Sequence, residues 1–508
     1  MTFFLGIDLG TTSVKCVLFD QQGKVAASAL KEYELLMPSP DIVEAKPETY
    51  WEAFRTCTKE ILKHPNIDAR EILGLGISSQ GESFTYLDKD GNTLGNVIVW
   101  LDNRSKFEAK IIQDEFGIDE VYRVTGQNVV SPTWTATKIL WLKRNEPLLF
   151  RKVDKFLFLE DFLIYKLTGK FVTEHSVVCS SLLFNISRRR WWKEILDFIG
   201  INEDQLPQLN PSGVPVGEIM SNASKETGLS TKTLVSTGAY DQAANAIGVG
   251  NIKNGVVTET TGGAMAIVAT VDKILLDPKR RIPCQHHAVF GKYFLQPWCQ
   301  TAGAVLKWFR DNFGKQEIEE AKMQNKDAYD LLMEQASKVP PGSDGLVLLP
   351  HFMGAASPEF NPDAKGVLFG LTLYHGKGHV IRAIIESIAY MLRRNIELLE
   401  ELGVEVKEVR STGGAARSPL WNQIKADVLQ KPILTVRKEE TAALGAAMLA
   451  GLATGMFPSL NEAVQSMVSI KERFSPQAAN RETYDKEYEK YVELYNNLRI
   501  VFKNDCKD

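Results

Sequence analysis

Two nucleotide signatures are missing from this chain. No G-x-x-x-x-G-K-[ST] segment occurs, and no G-x-G-x-x-G follows a strand, so P-loop and dinucleotide-binding readings lose their main support. Cysteine is scarce and scattered. The six thiols, Cys16, Cys57, Cys179, Cys284, Cys299 and Cys506, include no C-x-x-C pair, which argues against a zinc site and a secreted disulfide scaffold and fits a reducing cytoplasm. A charge excess is lacking too: a net charge of −4 offers no broad attraction for nucleic acid or an acidic membrane, so a small molecule is the expected partner. The longest uncharged stretch, Thr441 to Asn461, is Ala-rich and broken by Gly445, Gly451, Gly455 and Pro458; it suits a helix packed in a core better than a membrane span. The first residues run straight into a strand at Phe3–Phe4–Leu5, without the basic, apolar and small-residue succession of a secretory leader.

What is present is ordinary globular composition, 44% hydrophobic and 24% charged. A chain of 508 residues exceeds what one core supports, and two large domains are expected, 1–246 and 247–508. Leu5, Ile7 and Leu9 alternate with Gly6 and Asp8, Gly10–Thr11–Thr12–Ser13 turns the chain, and Val14 to Phe19, with Lys15, returns it as a hairpin. Such a turn offers backbone N–H groups and hydroxyls to a phosphate chain, or is simply a polar hairpin tip. Asp8 beside it suits the water shell of Mg²⁺, an ion that takes only one or two carboxylates. Val256 to Val268 repeats the arrangement around Thr260–Thr261–Gly262, which suggests a duplicated domain whose paired turns grip one triphosphate.

Asp241 is the candidate acid. It follows Leu234–Val235 and a Gly-containing turn and enters an Ala-rich helical run, so it reads either as a helix cap or as a general base at a strand-to-helix corner. The helix N-terminus favours its ionised form by roughly 0.3–1 kcal/mol. Gly74 to Ser78 reads as a strand ending in the polar loop Ser79 to Ser83, a place where ligands commonly bind in α/β domains. Asp102 and Arg104, near Trp100, form either an acceptor contact or an internal salt bridge, and Trp134 is either a wall for a sugar's carbon face or core. Arg188–Arg189–Arg190 is too small a basic footprint for nucleic acid, and adjacent His286–His287 cannot share one face as a metal pair. Val404 to Ser411 is strand-like and leads into Gly413, Gly414 and Ala415, where glycine lets a flat heterocycle approach; Ser418 and Pro419 then cap a helix over Leu420 to Leu429.

Gly6 to Ser13 with Thr260–Thr261–Gly262 resembles the phosphate loops of the sugar kinase, Hsp70 and actin superfamily. Gly366 to Leu371, His379–Val380 and Ala383 to Glu386 resemble the C-terminal signature of the FGGY carbohydrate kinases, and Thr135 to Asn145 their N-terminal signature, with Thr133 departing from the usual residue types. The resemblance implies an α/β fold of two ribonuclease H-like domains flanking a nucleotide cleft, and an ATP- and Mg²⁺-dependent transfer to a sugar hydroxyl. It assigns Asp241 as base and Gln80, Gly81, Glu82, Trp100, Asp102, Trp134 and Gln242 to the acceptor. ATP goes to Gly10, Thr11, Thr12, Ser13, Lys15, Thr260, Thr261, Gly262, Gly413, Gly414 and Ala415, and the metal to Asp8. The acceptor implied is a ketopentose such as D-xylulose, with glycerol, erythritol and gluconate as alternatives. Gly81–Glu82 stands where xylulose kinases tend to carry Met-His and glycerol kinases Arg-Glu. A homodimer is compatible with this reading. A partner-driven ATPase of the actin or Hsp70 kind is the alternative of another class, since one fold hosts many functions.

Overall fold

The structure, a computed structural model, describes residues 2–504; Cys506 lies outside them. The chain forms two compact units, one of residues 1–252, 270–294 and 440–469, the other of 253–269, 295–439 and 470–508. The segment after residue 439 thus returns to pack with the first unit.

The first unit is built on a twisted sheet containing β1 (Phe3–Leu9), β2 (Ser13–Asp20) and β3 (Ile72–Ser79). Its order is Pro215–Glu218, Leu234–Ser236, β3, β1, β2, Val25–Glu32, and β4 (Ala239–Tyr240) also pairs with β3. β1 meets β2 antiparallel, Leu9 opposite Val14, and β3 parallel, Asp8 opposite Ser78. Side chains alternate across a strand. Leu5 and Ile7 therefore share the face that packs with Tyr50, Phe54 and Ile61 of the Pro47–Ile61 helix, whose Pro47 pre-sets the first turn. Gly6 lies on the other face, where the Thr441–Ala453 helix lies so close that a Cβ would sit 1.9 Å from the Ala443 carbonyl oxygen. The small residues of that helix thus serve backbone-to-backbone packing. α1 (Leu159–Thr168) and α2 (Asp241–Gly248) also belong to this unit.

The second unit repeats the central motif. β5 (Gly255–Thr261) and β6 (Met265–Val271) are antiparallel with Thr261 opposite Met265, and β7 (Val406–Thr412) runs parallel to β5 with Thr260 opposite Thr412. Ile433–Val436 and Ile470–Phe474 extend the sheet beyond β7. α3 (Pro419–Leu429) follows β7; Ser418 caps it by accepting the Trp421 N–H at 3.2 Å, with Pro419 as its first residue. Among the described residues no helix is long and apolar enough to cross a membrane.

Candidate active site

In the first unit the turn after β1 is closed by the Gly10 N–H on the Ser13 carbonyl at 3.0 Å. Gln80 braces it from the end of β3. Its Nε2 donates to the Gly10 carbonyl at 2.8 Å, while its Oε1 accepts from Ser83 Oγ at 3.1 Å and Thr11 Oγ1 at 3.4 Å. The Trp100 indole N–H donates to Thr11 Oγ1 at 2.9 Å, and the Tyr33 hydroxyl to the Gly10 carbonyl at 2.6 Å. Gln80 and Trp100, expected against the acceptor, thus spend their polar atoms on the turn. Thr12 stands exposed, with Ser13 half-buried beside it. Lys15 is paired with Glu440 at 2.5 Å.

Asp241 opens α2 and is partly exposed, yet its Oδ1 is buried and lacks a hydrogen-bond partner. Burial, then the charges of Asp8 and Glu82, push its carboxyl up to about 7. The helix N-terminus alone therefore does not set its ionisation: desolvation and like charge act against a dipole effect worth up to about 2 kcal/mol in a partly buried setting. Asp8, opposite Ser78, accepts that residue's hydroxyl at 3.3 Å; burial lifts it to about 6. Glu82 is buried and in the left-handed region at φ +60°, and burial raises it to about 7 against the pull of Ser180 and Lys138. A Cβ on the adjoining Gly81 would crowd Ser180 Oγ at 2.8 Å and the Tyr240 ring at 3.1 Å, so a larger residue there would have to displace these side chains.

Lys138 escaped the sequence reading. Wholly buried, it donates to the Val99 carbonyl at 2.8 Å, and desolvation pushes it down to about 7 while Asp102 and Glu82 pull it up. Its only sequence signal was a lysine inside an otherwise apolar helix face. Asp102 is also wholly buried; it accepts the Val43 N–H at 2.7 Å and Arg104 Nη2 at 2.8 Å, and Arg104 reaches on to Glu44. The internal salt bridge is what forms, so Asp102 is not free for an acceptor. Trp134 donates to the Val129 carbonyl at 2.8 Å and packs on the apolar core of its unit. Gln242 follows Asp241, its Oε1 likewise buried and unpartnered. His286 and His287 bond the carbonyls of Ile186 and Asn251.

In the second unit Thr261, Gly262, Gly414, Ala415, Leu420 and Trp421 line a cavity of about 650 Å³, within the usual range for small-molecule sites. Gly413 serves another purpose than expected. At φ +78° a Cβ there would meet the Thr261 carbonyl at 2.6 Å, so close packing on β5 requires glycine, and Gly414, with open space around it, is the one that faces the cavity. Thr260 and Thr412 share a hydroxyl contact at 2.8 Å. Beneath them Lys425 of α3 donates to Glu259 at 2.9 Å and Ser411 at 3.1 Å, Ser411 donates to Glu259 at 2.7 Å, and Thr261 donates to Glu259 as well. Lys425 and Glu259 are both fully buried.

An Mg²⁺ ion fits the donor set of the first unit. Asp8 and Glu82 act on Asp241 as like charges, and Asp241 Oδ1 has no hydrogen-bond partner. Among the described residues no group of three or more His, Cys, Asp or Glu is arranged to cage a metal. Mg²⁺ commonly takes one or two carboxylates and fills its remaining positions with waters and substrate phosphates.

Comparison with known proteins follows the same lines. The N-terminal domain of the FGGY family of carbohydrate kinases matches residues 3–248, and the C-terminal domain of that family matches 261–454. A xylulose kinase of Bacillus subtilis strain 168 is 31% identical over 499 residues, 98% of each chain. A gluconokinase of the same strain is 33% identical over 510 residues, 99% of this chain and 96% of the relative. The crystal structure of ligand-bound xylulose kinase from Lactobacillus acidophilus superposes with a TM-score of 0.89 at 27% identity, covering 99% of this chain and 100% of that one.

Proposed function

The chain belongs to the FGGY family of carbohydrate kinases and is an ATP-dependent sugar kinase, and from that premise we propose that it phosphorylates a neutral ketopentose, D-xylulose, with Asp241 as the general base. Family membership sets aside the partner-driven ATPase. The relatives themselves span xylulose and gluconate kinases at 31% and 33% identity, so similarity does not choose between acceptors. What supports a neutral acceptor is the charge beside Asp241: Asp8 and Glu82 act on its carboxyl, and when ionised they disfavour a further carboxylate such as that of gluconate.

In this reading the second unit holds the nucleotide, adenine against Gly414 and Ala415, phosphate oxygens at Thr260, Thr261 and Gly262. The first unit presents Thr12 and Ser13 to phosphate, with Lys15 nearby, and supplies the base. Asp8 would hold Mg²⁺, which supplies charge neutralisation on the phosphates when bound. The acceptor hydroxyl loses its proton to Asp241 as its oxygen attacks the γ-phosphorus, the bridging bond breaks, and ADP leaves. A carboxyl poised near 7 is matched to accepting a proton at neutral pH and returning it to water afterwards. Free buried thiols at Cys16, Cys57, Cys179, Cys284 and Cys299 support a cytoplasmic setting. ADP release measured with D-xylulose, glycerol, erythritol and gluconate tests the substrate. D-xylulose is expected to drive turnover and gluconate to be poor; efficient turnover of gluconate would overturn the choice.

A further inference from the structure

The turn that delivers Asp241 is held by two buried acids from elsewhere in the first unit. Gly238 lies against β3, where a Cβ would stand 1.7 Å from the Ile77 carbonyl oxygen. Its N–H donates to Glu160 Oε1 at 2.8 Å, and the Tyr240 N–H donates to Ser176 Oγ at 2.9 Å. Ser176 Oγ in turn donates to Glu174 Oε1 at 2.7 Å. Glu174 is filled on every side. It also accepts the N–H groups of Ser176 at 2.7 Å and Val177 at 2.5 Å, and Ser212 Oγ at 2.6 Å. Glu160, Glu174 and Ser176 are all fully buried, and Glu160 is the second residue of α1, which directly follows the Lys155–Phe158 strand.

Burying carboxylates is costly, and a backbone carbonyl would satisfy an amide more cheaply. An ionised carboxylate offers a charge-assisted bond, shorter and roughly twice as strong as a neutral one. Glu160 holds the amide three residues before Asp241 directly, and Glu174 holds the amide immediately before it through the Ser176 hydroxyl, close enough to fix the direction in which the Asp241 side chain leaves the helix start. Burial drives both acids upward, and the charges of Glu174 and Asp161 push Glu160 further, so the site retains a standing electrostatic cost where apolar packing would have none.

We propose that Glu160, Glu174 and Ser176 are positioning residues for the phosphoryl transfer, acting through the Gly238–Tyr240 backbone on the aim of Asp241. This rests on Asp241 being the base. Ser176 is the informative position, because Ser176→Ala removes one hydroxyl and almost no volume.

The test is a double-mutant cycle of Ser176→Ala and Asp241→Asn, with kcat and KM measured per ATP-binding site on D-xylulose, gluconate and glycerol, and on ATP hydrolysis to water if none of the three is turned over. Ser176→Ala alone is expected to lower kcat about tenfold, a fraction of the 10²-fold that a 1 Å misplacement can cost. KM for ATP should stay within about twofold and, if Ser176 acts through Asp241, the Ser176→Ala effect should disappear in the Asp241→Asn background. An equal loss in both backgrounds, or a loss that vanishes once activity is scaled to folded sites, overturns the positioning role. Should Asp241→Asn keep full turnover, the base assignment itself fails, which is a different result. If Ser176→Ala does not fold, Ser212→Ala at the half-buried far side of Glu174 replaces it in the same cycle, with an expected loss of about threefold and the same two overturning outcomes.

Discussion

Each unit contains a strand, a Thr/Gly turn, a returning strand and a parallel third strand, yet the two copies differ in how their buried charge is settled. In the second unit Glu259 beneath the turn is closed by Lys425, Ser411 and Thr261. In the first, Asp241 feels the like charges of Asp8 and Glu82; Lys138, itself weakened by burial, offsets Glu82, and Lys15 offsets Asp8. The second turn is complete before any ligand arrives; the first is left needing positive charge. That difference separates two jobs. A cradle for a nucleotide gains from rigidity, whereas a site that must accept a proton and attract a cation gains from unsatisfied acid.

The sharpest way to break the comparison is to remove Asp241, whose Oδ1 the first unit leaves without a hydrogen bond. Asp241→Asn is expected to lower kcat by about 10²–10⁴-fold, the usual worth of general-base help, while leaving ATP binding intact. Turnover on the wild-type scale, with ATP titrated to the same affinity, would remove any special role for the first unit's charge.

The matching substitution in the second unit acts on stability. Lys425→Met leaves Glu259 buried without its cation and is expected to cost about 3–5 kcal/mol of unfolding free energy. Adding Glu259→Leu should restore much of the loss, because a buried pair is commonly replaceable by apolar groups when both partners go. Chemical denaturation of the single and double variants reads this directly. A single-variant loss below about 1 kcal/mol would mean that the pair is not the keystone of its turn.

The sequence told much about the motif and little about its supports. Period-two alternation and Thr/Gly clusters located both hairpins, and Ser418–Pro419 located the start of α3, because these signals are local. Glu160 and the Ser176 hydroxyl reach the Asp241 turn across 78 and 64 residues, and Lys425 reaches Glu259 across 166, so no periodicity could pair them. The same limit explains Gln80, Trp100 and Asp102. They lie in the loops where ligand contacts are expected, but whether a polar side chain there meets a ligand or its own protein depends on neighbours that only the fold supplies. What raises Asp241 was hidden for a related reason: the helix start is visible in the chain, and the like charges of Asp8 and Glu82 are not.

The smallest effect is the most specific to the contrast between the turns. Asp241 has a folded value near 7 against an ordinary 3.8, so the folded protein holds this proton more tightly than the unfolded chain does. For an acid shifted upward, the stability contribution is fully present below the unfolded value and is lost as pH rises through the folded one. Wild type should therefore lose stability from Asp241 between about pH 4 and pH 7, while Asn, which carries no titrating proton, should not. At pH 8 the ligand-free Asp241→Asn protein is expected to melt at least about 2 °C above wild type. The gap should shrink towards pH 5, where Asp241 is protonated and resembles Asn, and Mg²⁺ should narrow it at pH 8 by supplying the missing counter-charge. A gap that stays constant with pH, or a variant less stable than wild type at pH 8, would show that the first unit's acids carry no net electrostatic cost and that the two turns differ in composition alone.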